Sequence, residues 1–181
     1  MATELIVLVN ELGEPVGTAE KLASHHADTP LHLAFSCYVF NGKGELLVTR
    51  RADSKKVWPG VWTNSLCGHP APGESMEQAI QRRLKQELGM TARDIKVVLP
   101  TYRYQTPPFN GIIENEFCPV YVARAQSQLK LNPAEVASCK WLSWGKFVTA
   151  THAEKNWSWW CKDQLKKLKD NDTIKHYANI T

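Results

Sequence analysis

Apolar residues recur at every fourth position at Met76, Ile80, Leu84 and Leu88, which predicts an amphipathic helix with one buried stripe. Its ends are marked as well. Ser75 followed by Gln78 makes a capping box, Glu74 and Glu77 set negative charge at the positive end of the helix, and Gly89 supplies the stop. On a helix of about 100° per residue, Arg83 and Glu87 fall beside Ile80 and Met76, while Arg82 and Gln86 point to the outer face. Elsewhere the period is two. Met1 to Val9 reads as a first strand, and Leu31 to Phe40 as a strand that Asn41-Gly-Lys-Gly44 turns into another from Glu45 to Arg50. Ile95 to Tyr104 and Ile112 to Ala125 read as two more. Residues 13 to 30 read as a loop or short helix, and Trp157 to about Lys169 as a helix beyond which the chain frays. Strands and helices alternate without a βαβ rhythm, so the expected fold is α+β, a mixed sheet between helices in one domain.

Composition sets limits on that picture. A chain of 181 residues, 43% of them apolar, suits a single domain with a substantial core. The net charge of +4 fits a small anionic ligand, and no long basic block argues for nucleic acid. The first apolar run is too short for a membrane span or a signal peptide. Five cysteines, an odd number without a Cys-x-x-Cys pair, argue against a disulfide framework and for the cytoplasm. The lysines at 162, 166, 167 and 169 read as the wet face of the last helix.

Between the hairpin and the central helix, Pro59, Gly60, Gly68, Pro70, Pro72 and Gly73 cannot continue regular structure, so a rigid loop feeds the helix. That loop carries Cys67 and His69. Behind it, the inward Arg83 and Glu87 either pair with each other or line a polar pocket. In the strand after Gly111, Ile112, Glu114, Glu116 and Cys118 share one face. Two carboxylates among apolar neighbours are costly unless a cation pairs them, and a metal would satisfy both. His25, His32 and His69 are candidates to join them, although a histidine taken singly is more often a surface or satisfied core residue than a ligand. Three His and two Glu would suit Mn²⁺, Mg²⁺ or Zn²⁺. Cys67 reads either as a small buried hydrophobe or as a proton-transfer group. No Asn or Asp motif around a partner His recommends it as an acyl-transfer nucleophile.

Gly68, Glu74, Arg82, Glu87 and Gly89 are spaced as in the Nudix box, over the segment 68–90. The box differs here at two positions, with Arg83 and Gln86 where carboxylates are expected. Asn64-Ser-Leu-Cys67-Gly-His69-Pro, Glu114-Asn-Glu116 and Trp58-Pro-Gly-Val-Trp62 together resemble type I isopentenyl-diphosphate isomerases, from about Asn10 to Trp141 and more loosely to Trp160. The resemblance implies a Nudix-like fold and the interconversion of isopentenyl and dimethylallyl diphosphates in isoprenoid biosynthesis. It implies Cys67 and Glu116 as the proton-transfer pair, with Tyr104 assisting. It places His25, His32, His69, Glu114 and Glu116 as ligands of one divalent metal, with His26 a bystander. Lys21, Arg51, Lys55 and Arg83 are implied to bind the diphosphate, with Glu87 holding a bridging Mg²⁺. The family sets a tryptophan against the developing cation, and its pattern selects Trp160 over Trp157 and Trp159; on a helix, Trp159 points away from the other two. A small-molecule diphosphate is the expected partner, to a monomer or weak homodimer. Two readings compete with the isomerase. One is a Nudix diphosphate hydrolase, against which Arg83 and Gln86 speak, and the other is a ligand-binding module without turnover.

Overall fold

Two sheets divide the strands, and three segments of chain run from one sheet into the other. The computed structural model describes residues 4–180. The chain forms β1 (Leu5–Val9), β2 (Pro15–Glu20), α1 (Lys21–Ser24), β3 (His32–Leu33), β4 (Phe35–Phe40), β5 (Leu46–Arg51), β6 (Trp62–Thr63), β7 (Leu66–Gly68) and α2 (Met76–Leu88). It continues through β8 (Ala92–Leu99), β9 (Arg103–Gln105), β10 (Asn115–Phe117), β11 (Val120–Ala125), β12 (Val136–Leu142), α3 (Trp144–Ala153), α4 (Trp159–Leu168) and α5 (Asp172–Tyr177). The larger sheet runs β12-β5-β4-β11-β8, with β6 beside β5 and β7 beside β4, and the smaller runs β2-β1-β3-β10-β9. Both are mixed, because β4 with β11 and β3 with β10 pair in parallel.

β4 is buried along its whole length, so it is apolar on both faces. Phe35, Cys37 and Val39 pack with Ile80, Leu84 and Leu88 of α2. Tyr38 and Phe40 pack on the other side with Trp144, Phe147, Leu165, Leu168, Ile174 and Tyr177 of α3, α4 and α5. The larger sheet is thus held between helices, as the patterning predicts. The central helix has the predicted ends: Ser75 and Gln78 close a capping box, and Gly89 stops the helix at φ 59°, a left-handed conformation suited to glycine.

Several expectations need correction. The single strands read over 31–40, 95–104 and 112–125 are each two strands in different sheets, because alternation continues across the crossing points. The ladder changes partners there: Ala34 N donates to Phe117 O at 2.9 Å, and Cys118 N to Tyr102 O at 2.8 Å. Pro119 has no N–H with which to continue it. Residues 13–30 contain β2, an exposed edge strand without the apolar face that reveals a strand in sequence. The predicted first strand is described from Leu5 to Val9, and Met1 to Thr3 lie outside the described residues. The chain does not fray after Lys169, since α5 is anchored by buried Ile174 and Tyr177. Trp157 precedes the last long helix, whose N-cap is Ser158. Arg82 does not simply face outward, because it reaches back over the loop to Glu74.

Candidate active site

The crossing segments and the loop before α2 bring the candidate residues together. Gly68 allows α2 to lie close on β7: a Cβ there would meet Arg83 Cγ at 3.0 Å and Phe35 Cζ at 3.1 Å. The loop after it is clamped by a two-pronged contact, Arg82 Nε and Nη2 donating to Glu74 Oε1 and Oε2 at 2.7 Å each. Arg82 Nη2 also donates to His69 O at 3.0 Å, which fixes His69 at the head of the loop. Glu74 therefore serves the loop, and Arg82 holds its carboxyl below the usual carboxylate range.

His25, His32 and His69 gather with ring centroids 5.0 to 5.8 Å apart. His25 Nδ1 donates to Lys21 O at 2.5 Å and His32 Nδ1 to Pro30 O at 2.9 Å, which leaves each Nε2 with its lone pair turned inward. His32 Nε2 lies 3.2 Å from His69 Nε2, which is itself 3.2 Å from Glu116 Oε1. His25 Nε2 lies 3.2 Å from Glu114 Oε2. Burial drives His32 down to about 4 and His69 to about 3, so both rings are neutral at ordinary pH. For His25, Glu114 outweighs burial and raises the pKa. Glu114 Oε2 and His69 Nδ1 are both buried without a hydrogen-bond partner. Lone pairs and carboxylate oxygens turned on one another repel unless a cation lies among them. Nitrogens of the three histidines fall within 4.8 Å of one another, as do donor atoms of His32, Glu114 and Glu116. This group can hold a divalent metal, and its nitrogen and oxygen donors fit one.

A cavity of about 490 Å³ opens beside it, within the roughly 300–1,000 Å³ of small-molecule sites. Cys67, Tyr104, Glu116 and Trp160 line it together with Arg51, Lys55, Arg83 and Glu135. Tyr104 Oη donates to Glu116 Oε2 at 2.7 Å, and burial raises the tyrosine pKa well above its usual value. Burial pushes the Cys67 thiol up to about 12, with the Ser36 hydroxyl 3.3 Å away pulling against it. Trp160 faces Tyr104 at 6.4 Å and 29°. Trp159, expected to point away, stacks on the same tyrosine at 5.8 Å, although it does not line the cavity. Trp157 is buried behind with its Nε1 unpartnered.

Each of the basic candidates has a protein partner. Lys21 Nζ donates to Glu4 Oε1 at 2.8 Å. Arg51 donates to the carbonyls of Trp58 and Val57, each at 3.1 Å, and lies 5.7 Å from the Trp160 ring centre. Arg83 binds Glu87 Oε1 through Nε at 2.8 Å and Nη2 at 2.5 Å, and reaches Glu135 at 3.2 Å. Lys55 pairs with the same Glu135 oxygen. The inward Arg83 and Glu87 thus pair with each other, and Arg83 also lines the cavity. Glu135 was not legible in the sequence, because a glutamate in Asn132-Pro-Ala-Glu reads as a surface turn.

Comparison with known proteins identifies the family of the chain. The NUDIX domain model matches residues 30–171. An isopentenyl-diphosphate Delta-isomerase of Saccharopolyspora erythraea is 51% identical over 91% of this chain and 86% of its own. One from Paenarthrobacter aurescens is 51% identical over 96% and 95%, and one from Salmonella arizonae 55% identical over 78% of each. Among solved structures, a Deinococcus radiodurans protein superposes with a TM-score of 0.71 at 20% identity, covering 91% of this chain and 98% of that one. That likeness speaks for the fold alone. With the domain match spanning most of the chain and relatives half identical across it, the chain belongs to the NUDIX-domain family and, within it, to the isopentenyl-diphosphate Delta-isomerases.

Proposed function

We infer that this chain interconverts isopentenyl diphosphate and dimethylallyl diphosphate, moving a carbon–carbon double bond by one carbon, as a single domain over residues 1–181. The observation that carries the reading is one cavity lined both by basic side chains and by a thiol, a carboxylate, a phenol and an indole. Adding a proton to an unactivated alkene and removing one from the neighbouring carbon needs an acid and a base on the same five-carbon chain. It also needs water kept out and something electron-rich beside the tertiary carbocation character that develops. Cys67 and Glu116 form the proton-transfer pair, and Tyr104 holds Glu116 by its hydrogen bond. The π face of Trp160 lies against the positive charge.

Arg51, Lys55, Arg83 and Lys21 bind the diphosphate through charge-assisted hydrogen bonds, and Glu87 would be a ligand for Mg²⁺, which would supply further positive charge to the anion. His25, His32, His69, Glu114 and Glu116 would hold one Mn²⁺, Mg²⁺ or Zn²⁺, whose fixed positive charge when bound orients Glu116 and tunes its basicity. The substrate is a small molecule, and the product feeds isoprenoid biosynthesis. Arg83 stands where a hydrolase box carries a carboxylate, and its ion pairs with Glu87 and Glu135 replace a ligand with a cation.

Incubation with isopentenyl diphosphate and Mg²⁺ in D₂O tests the reading. Deuterium in a recovered allylic diphosphate is the expected result. Released phosphate would make the chain a hydrolase, and unchanged substrate a binding module.

A further inference from the structure

A buried polar chain joins the aromatic wall of the cavity to its thiol. Trp160 Nε1 donates to Thr63 Oγ1 at 3.0 Å, Thr63 Oγ1 donates to Asn64 Oδ1 at 2.9 Å, and Cys67 Sγ donates to the same Oδ1 at 3.3 Å. The directions follow from the neighbours. Asn64 Nδ2 spends its hydrogens on Cys37 O at 3.1 Å and Leu66 O at 2.8 Å, so Oδ1 must face the sulfur and accept. Because the one hydroxyl hydrogen of Thr63 goes to Asn64, Ser158 Oγ at 2.9 Å donates to Thr63. Ser158 in turn caps α4, accepting from Cys161 N at 3.4 Å. Thr63 is 4% exposed, Asn64 0%, Ser158 1% and Trp160 4%, a depth at which polar groups persist only when fully paired.

On the isomerase reading above, we propose that Thr63 is a positioning residue, which ties the Trp160 ring and the Cys67 sulfur into one rigid unit through Asn64 and Ser158. The need for it is geometric. Trp160 and Cys67 lie far apart in the sequence, one on α4 and one on β7, yet both must be set against the same five carbons. A misplacement of about 1 Å at a reacting group costs on the order of a hundredfold in rate. Apolar packing alone lets an indole slide in its plane. A hydrogen bond at Nε1 fixes it, and the one hydroxyl that provides this bond also orients the amide that receives the thiol.

The test uses the full chain loaded with its divalent metal. Thr63→Val keeps the side-chain shape and removes the hydroxyl, and Thr63→Ser restores the hydroxyl without the methyl. Three quantities are measured: melting temperature, kcat and KM for isopentenyl diphosphate, and the infrared S–H stretch of Cys67, identified as the band missing from Cys67→Ala. In Thr63→Val the proposal expects kcat to fall about tenfold with KM within about twofold, the scale of one lost hydrogen bond acting on the reacting groups. The S–H band shifts in the same variant, and Thr63→Ser returns both quantities toward the parent values. The proposal is overturned if the S–H band and kcat stay in place in Thr63→Val while only the melting temperature drops. A loss confined to KM overturns it too. If the unaltered chain makes no allylic product, the isomerase reading fails, and the S–H band still decides whether Thr63 orients the thiol.

Discussion

The two charged clusters at the cavity are built on opposite electrostatic plans. In the His/Glu cluster, donor atoms face one another: His32 and His69 meet nitrogen to nitrogen at 3.2 Å, and Glu114 Oε2 has no hydrogen-bond donor. In the basic cluster the charges are already matched, Arg83 and Lys55 against Glu87 and Glu135. A group left unsatisfied by the fold needs a resident cation to be stable, whereas a cluster that neutralises itself is stable alone and exchanges partners when an anion arrives. The difference teaches that the His/Glu group is arranged so that it could hold a divalent cation, whereas the basic side chains are already neutralised by protein carboxylates.

Chelation should break the symmetry between the clusters most sharply. Stripping divalent cations is expected to abolish turnover and to lower the melting temperature together, because uncompensated carboxylates remain buried in the smaller sheet. Activity that survives in protein shown metal-free by elemental analysis would make the Glu pair structural. Next in size, Cys67→Ala should retain the fold and diphosphate binding while losing far more than the ~10²–10⁴-fold typical of one acid–base group. A near-normal initial rate in that variant would remove the thiol from the chemistry.

The basic cluster should respond in binding. Arg83→Gln is expected to raise KM by about 10- to 100-fold, the equivalent of a charge-assisted hydrogen bond of about 1.5–3 kcal/mol. It should also lower stability, since Glu87 keeps its burial and loses its cation. A change in kcat alone would mean that Arg83 acts on the reacting carbons instead. Trp160→Leu should act on kcat rather than KM. A desolvated cation–π contact of roughly 2 kcal/mol corresponds to about thirtyfold in kcat, and Trp160→Phe should be milder. If Trp157→Leu lost turnover and Trp160→Leu kept it, the wrong ring would have been assigned to the cation.

The central helix was legible because three independent signals coincide on it: the four-residue stripe, the Ser75–Gln78 box and Gly89. Glu114, Glu116 and Cys118 were legible as one face because a two-residue period survives even where the strand changes sheets. The same persistence hid the crossings themselves, since nothing in residues 31–40 marks Ala34 as the place where partners change. β12 and α3 left little trace, the first because it has almost no buried alternation, the second because Gly145, Val148 and Thr149 are weak helix formers. Glu135 meets Lys55 and Arg83, and Thr63 meets Trp160, across more than fifty positions of sequence, and a local pattern carries no record of such pairings.

The shared seam between the sheets also sets the order in which the molecule can become active. His32 meets Glu116 only when β3 pairs with β10, and β4 meets β11 across a similar stretch of chain. Closing such long loops for parallel pairing is slow and comes after local structure has formed. The helix with its capping box can form early, but the thiol on one sheet and the carboxylate on the other come within reach of one substrate only when the last strands dock. Regain of turnover during refolding should therefore follow the slowest phase of tertiary structure, well after helical content has returned.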